Sequence, residues 1–242
     1  LSRIRHTAYT LLGSNCYSCE KPLQGAANPT WCDDCLELLK PVSRCETCGT
    51  LMEMPVERCG GCVSSPPLWD KLYGIGEYSE PLSRYVQGLK YRRQMWHARE
   101  LASLLAQRIE SPASLLLPIP LHWKRQCARG FNQSDYLADY LSQSLRQRTG
   151  VELQVLSKAI KRIKVTKTQT GLNRRQRLIN LKHAFALSPD YLASIQNHSH
   201  IALVDDVVTT GSTVAEVCLL LREQGVKQID VYCICRASKP IP

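Results

Sequence analysis

The feature that most constrains this chain is a short apolar run, Ile201-Ala202-Leu203-Val204, that ends abruptly in two adjacent acids, Asp205 and Asp206. Val207, Val208 and then Thr209-Thr210-Gly211-Ser212-Thr213 follow, and beyond them Val214, Val217, Cys218 and Leu221 recur at helical spacing. A brief continuous apolar run predicts a strand buried on both faces, and such strands belong to parallel sheets covered by helices. Strand, polar loop and helix in that order place the loop at the carboxyl edge of the sheet, where open parallel sheets bind ligands. Thr213 with Glu216 three positions on has the pattern of a capping box and sets the expected helix start. The N–H groups from Thr210 to Thr213 then converge with the helix dipole on one anion. Gly211 lets that anion approach, and the hydroxyls of Thr209, Thr210, Ser212 and Thr213 add donors. Two neighbouring carboxylates are costly unless cations or donors meet them; ribose hydroxyls and a hydrated magnesium ion supply both.

The rest of the C-terminal two thirds alternates in the same way. Strands are expected over 68–76, 114–117 and 229–235, and helices over 81–93, 96–109 and 131–147. The fold class that follows is α/β, a mostly parallel sheet with helices on both faces. The break Val63-Ser64-Ser65-Pro66-Pro67 divides this domain, 68–242, from a cysteine-rich head, 1–65.

Eight of the 12 cysteines fall in that head as four Cys-x-x-Cys pairs: Cys16/Cys19, Cys32/Cys35, Cys45/Cys48 and Cys59/Cys62. Each pair presents two sulfurs from one tight turn, and two pairs complete a tetrahedral thiolate site, so the head is expected to hold two structural zinc ions. Sequential pairing, as in a double zinc ribbon, is favoured over a cross-braced scheme; iron–sulfur ligation is the chemical rival. Cys127, Cys218, Cys233 and Cys235 lie in apolar surroundings and are expected to pack as reduced thiols. Such cysteine usage, with no run of about 18 apolar residues, points to a reducing cytoplasm and no membrane span.

The formal net charge of +10 is concentrated between residues 120 and 182, where 14 lysines and arginines meet three acids. A field of that kind suits phosphate-rich partners, either a diphosphorylated sugar or nucleic acid.

With its two acids and Thr/Gly/Ser loop, the segment 201–213 resembles the phosphoribosyl pyrophosphate motif of type I phosphoribosyltransferases. Leu117-Pro118-Ile119-Pro120-Leu121, Arg125 and Arg129-Gly130-Phe131-Asn132-Gln133 resemble the ComF/GntX family of phosphoribosyltransferase-like proteins. So do Leu89-Lys90-Tyr91, the cysteine-rich head, and the stretch from Lys164 through Gly171 to Arg174, Arg177, Asn180 and Ala184-Phe185. The resemblance implies that Asp205 and Asp206 hold the ribose side of phosphoribosyl pyrophosphate while 209–213 cradle its 5′-phosphate. It places pyrophosphate near Leu121 and His122, flanked by Arg125 and Arg129. It makes 160–171, with Lys164, Thr166, Lys167 and Gln169, a flap that closes on ligand. It further implies a role in DNA uptake, natural competence or use of DNA as a nutrient, with single-stranded DNA and DNA-processing proteins as partners. The alternative is a metabolic phosphoribosyltransferase acting on an unidentified small nucleophile; no general base is assigned.

Overall fold

The computed structural model describes residues 15–23, 30–121, 126, 129–163 and 184–237. The chain divides into two compact units, Leu1–Val42 and Ser43–Pro242. In the first, Cys16, Trp31, Cys35 and Leu39 are buried, the rings of Tyr17 and Trp31 meet at 5.2 Å, and helix α1 (Asp33–Glu37) starts just after Cys32. So small a core needs a staple, which the cysteines supply. The second unit takes in Cys45 to Cys62 and helix α2 (Gly60–Ser64) together with the sheet, so the composition break at 63–67 falls inside it.

The sheet has five parallel strands in the order β1 (Lys71–Glu77), β7 (Gln228–Arg236), β6 (His200–Val208), β2 (Leu115–Pro118) and β3 (Gln154–Val155). Its central strands are buried on both sides, which is why they read as unbroken apolar runs. Ile201, Leu203, Leu115, Leu117, Ile229 and Val231 face one core, into which α7 (Ser212–Glu223) sets Val214, Val217, Cys218 and Leu221. The opposite face is covered by α3 (Leu82–Tyr91), α4 (Trp96–Ala106) and α5 (Gln133–Thr149). Cys218, Cys233 and Cys235 are fully buried packing residues, as expected; Cys127 lies outside the described residues. A two-stranded antiparallel hairpin of β4 (Ile160–Arg162) and β5 (Phe185–Leu187), and the short helix α6 (Leu192–Gln196), complete the unit.

Helix α5 begins where Asn132 caps it, its side chain accepting from Ser134 N–H at 3.3 Å, and ends at Gly150 in the left-handed region. Connections from β2 run toward β3 while those from β6 run toward β7. The strand order therefore reverses between β2 and β6, and a crevice opens at their carboxyl ends.

Two local expectations shift. Strand β6 does not stop at Val204; Asp205 pairs with Cys233, Val207 with Cys235 and Val208 with Arg236, because backbone pairing to β7 continues where apolar side chains cease. Helix α7 begins two residues earlier than the Thr213–Glu216 pattern indicated. Its N-cap is Gly211, at φ 75°, and no side chain caps it.

Candidate functional site

The cleft at the strand reversal has a volume of ≈ 320 Å³ and is walled by 205–214 on one side and Ile119, Pro120 and Leu121 on the other. Of the residues singled out from sequence, Asp205, Asp206, Thr209, Thr210, Gly211, Ser212, Thr213, Leu121 and Arg129 all line it. His122, Arg125 and the flap residues Lys164, Thr166, Lys167 and Gln169 lie outside the described residues.

Strand alternation puts Asp206 on the face of Ala202 and Val204, under α3 and α5. There Lys90 Nζ sits 2.8 Å from its Oδ1 and Gln133 Nε2 donates to its Oδ2 at 2.6 Å. Arg129 in turn donates to Gln133 Oε1 at 2.8 Å, so a relay of donors runs from the cleft rim to the buried acid. Burial works to lower the pKa of the Lys90 ammonium, but the carboxylates of Asp206 and Asp205 outweigh it and hold it above its ordinary value. Asp205 accepts from its neighbour's N–H at 2.8 Å and from Ser134 Oγ at 3.3 Å. Burial, and then the charge of Asp206, push its carboxyl from 3.8 up to about 7 against the pull of Lys90. The two acids are thus unlike: Asp206 is ion-paired to Lys90, whereas Asp205 is met by a backbone N–H and a hydroxyl.

In the loop, Thr210 Oγ1 and Ser212 Oγ share a 2.8 Å hydrogen bond, and Ala215 N–H donates to Gly211 O at 2.8 Å, the first turn of α7. A β-carbon on Gly211 would lie 2.4 Å from the Trp69 ring, so the space its missing side chain leaves is filled from behind by indole. Asn132 Nδ2 donates to Ile119 O at 3.2 Å and ties the start of α5 to the opposite wall.

Sequence reasoning gave Lys90 and Gln133 no place in the cleft, and both line it; Arg162, from the stretch 160–171 expected to close on ligand, lines it as well. The rim of the cleft is also aromatic. Tyr78 and Tyr91 line the cleft, Tyr91 is 75% exposed, and the Arg129 guanidinium stands 5.4 Å from its ring centre. Trp96, also exposed, follows at the start of α4.

The eight head cysteines form two groups in sequence order, Cys16, Cys19, Cys32, Cys35 and Cys45, Cys48, Cys59, Cys62, with the ligand atoms of each group within 4.8 Å of one another. The pairing is sequential. Sulfur separations of 3.6 Å (Cys19–Cys32), 3.9 Å (Cys45–Cys62) and 3.7 Å (Cys48–Cys59) match the edge of about 3.8 Å that a tetrahedron with Zn–S bonds of about 2.3 Å requires. A multi-iron cluster interposes its own atoms and would hold the sulfurs farther apart. Backbone N–H groups of Ser18 and Cys32 point at Cys16 Sγ, and that of Cys59 at Cys45 Sγ, which favours thiolates. Both groups can hold zinc, with all four positions filled by protein.

Among the described residues no helix is long and apolar enough to cross a membrane.

Residues 132–241 match the phosphoribosyl transferase domain family. Competence protein F of Haemophilus influenzae is 37% identical over 92% of this chain and 96% of its own length. DNA utilization protein YhgH of Salmonella typhimurium is 38% identical over 91% of this chain and 96% of its own. Competence protein ComFC of Streptococcus pneumoniae is 26% identical over 85% of this chain and 87% of its own. With nearly the whole chain aligned, a phosphoribosyltransferase-type sheet and two four-cysteine sites, this chain belongs to the ComF/GntX family.

Proposed function

We propose that the cleft binds 5-phosphoribosyl pyrophosphate with magnesium, and that the protein serves DNA uptake or the use of external DNA. The observation that carries the reading is the pairing of an anion cradle with a divided acid pair. The loop 209–213 opens α7 with N–H groups and hydroxyls together, and Asp205 stands beside it with no cation among the described residues as close as Lys90 is to Asp206. The 5′-phosphate sits on the loop, the ribose diol on Asp205, and the diphosphate with its magnesium along 119–121 near Arg129. Arg162, on β4, brings a further cation to the same cleft.

The DNA side of the reading is supported by the names of the relatives, competence and DNA utilization proteins, and by the rim. An exposed Tyr91 under Arg129, with Tyr78 and Trp96 nearby in the chain, offers stacking faces and positive charge to a single strand. Four-thiolate sites suit the reducing cytoplasm, where an incoming strand meets DNA-processing proteins. The test is calorimetric titration of phosphoribosyl pyrophosphate with magnesium into wild type and Asp205→Ala. Binding that is lost in the variant, with its fold retained, is the expected result; unchanged affinity refutes the assignment.

A further inference from the structure

The turn that joins Cys45 to Cys48 presents its carbonyls outward, and three consecutive ones are taken by residues of β1 and β7 and by Trp69, just before β1. Leu72 N–H donates to Glu46 O at 2.8 Å, the Trp69 indole to Thr47 O at 2.7 Å, and Arg236 Nε to Cys48 O at 2.8 Å. Two of these donors continue to the phosphate loop. Trp69 backs Gly211, as described above. Arg236, only 6% exposed, donates from Nη1 to the carbonyls of Val208 at 3.0 Å, of Thr209, and of Ala237 at 2.7 Å.

The carbonyl and N–H of a trans peptide point in opposite directions. Drawing the Val208 and Thr209 carbonyls onto Arg236 turns the N–H groups of Thr209 and Thr210 away from it, toward the cleft those threonines line. A planar guanidinium with a fixed fork of donors holds such an arrangement in a way that a flexible ammonium does not. One side chain thus grips the backbone of a cysteine ligand and aims the donors of the anion cradle.

We propose that Arg236 is a positioning residue that couples the second cysteine cluster to the phosphate loop. A metal on Cys45, Cys48, Cys59 and Cys62 and a phosphoribosyl phosphate on the loop each tighten the other's binding. The inference rests on the phosphoribosyl reading above. Coupling between two binding sites is reciprocal, so it is visible from the metal side without any measure of turnover.

Zinc-loaded full-length protein is challenged with a colorimetric zinc chelator, with and without phosphoribosyl pyrophosphate and magnesium, while calorimetry measures ligand binding in parallel. Two release phases are expected, one slowed by about fivefold or more when ligand is bound, the low end of ordinary coupling, and the other unchanged. A full-length Cys19→Ser/Cys32→Ser variant, which cripples the first cluster, keeps the ligand-sensitive phase. Arg236→Lys keeps the charge but not the fork, and is expected to abolish the slowing while circular dichroism stays that of wild type. Should that variant fail to fold, the wild-type comparison still decides. Ligand that binds while both phases stay unchanged, or slow equally, overturns the coupling and leaves the phosphoribosyl reading intact. No ligand binding by calorimetry overturns both.

Discussion

Lys90 Nζ lies 2.8 Å from Asp206 Oδ1, its carrier helix α3 reaching over the end of β6 to set a fixed cation inside an acidic pair. The side chain is 20% exposed and that of Asp206 6%, so neither charge is well served by water. An ammonium so placed neutralises one carboxylate of the pair from within the fold.

Lys90→Ala should therefore strand a buried carboxylate and lower stability by about 3 kcal/mol, the usual cost of breaking a buried pair from one side. Lys90→Ala with Asp206→Asn should recover most of the loss. Urea denaturation of the four proteins in a double-mutant cycle measures the coupling; additive effects would show that the pair is idle.

Asp205 sets a pH dependence. Its folded pKa, about 7, is above the ordinary 3.8, so the fold favours the protonated form. The stability linked to this group is fully present below the unfolded value and is lost as pH rises through about 7. Ligand-free wild type should lose unfolding free energy relative to Asp205→Asn across that window, and parallel pH profiles for the two proteins would contradict the burial argument.

Gly211→Ala combines a left-handed backbone, at φ 75°, with a β-carbon 2.4 Å from Trp69. A loss of about 1–3 kcal/mol is expected from the strain, along with a weakened phosphate site. Trp69→Leu in the same chain should relieve the clash but not the backbone cost, so partial recovery of the thermal midpoint is the diagnostic outcome.

Metal analysis of protein purified without added metal should find about two zinc ions per chain by the four-thiolate rule. Cys48→Ser should reduce that to about one. A brown protein containing iron and sulfide would replace zinc with the rival chemistry.

Binding of single-stranded DNA should depend on salt, the logarithm of affinity falling with a slope of roughly −0.7 per phosphate neutralised. Replacing Lys161, Arg162, Lys164 and Lys167 together should flatten that slope and also weaken phosphoribosyl pyrophosphate binding. Tight binding indifferent to salt, or surviving saturating phosphoribosyl pyrophosphate, would separate the two surfaces.

Legibility followed locality. Asp205 and the residues to Thr213 could be read as a site because strand, loop and helix are consecutive and each announces itself by period or composition. Cys-x-x-Cys pairs are equally local, but spacing alone left a cross-braced scheme open, and the structure shows the grouping in sequence order. Lys90 and Gln133 were hidden because their approach to Asp206 depends on how α3 and α5 cross the sheet, which no periodicity encodes. The one signal available was Lys90 itself, a cation at the end of an amphipathic helix among apolar Leu82, Val86 and Leu89. Gly211 was read as room for an anion, whereas the indole that occupies its back comes from residue 69, more than a hundred positions away. The continuation of β6 past Val204 was missed for a related reason: side-chain pattern reports burial, and the ladder to β7 is made by backbone.

Strand β1 stands last in the sheet order, and a terminal strand leaves unmated amides that invite another chain to add on. Here that flank is occupied by the second cysteine module, through Glu46 on Leu72 and Lys71 and the Arg44–Glu77 ion pair at 2.6 Å. The module therefore covers an edge of the sheet as well as gathering four cysteines that can hold zinc. Loosening that module would bare the amides of β1, so this flank of the sheet depends on how firmly four sulfurs are held together.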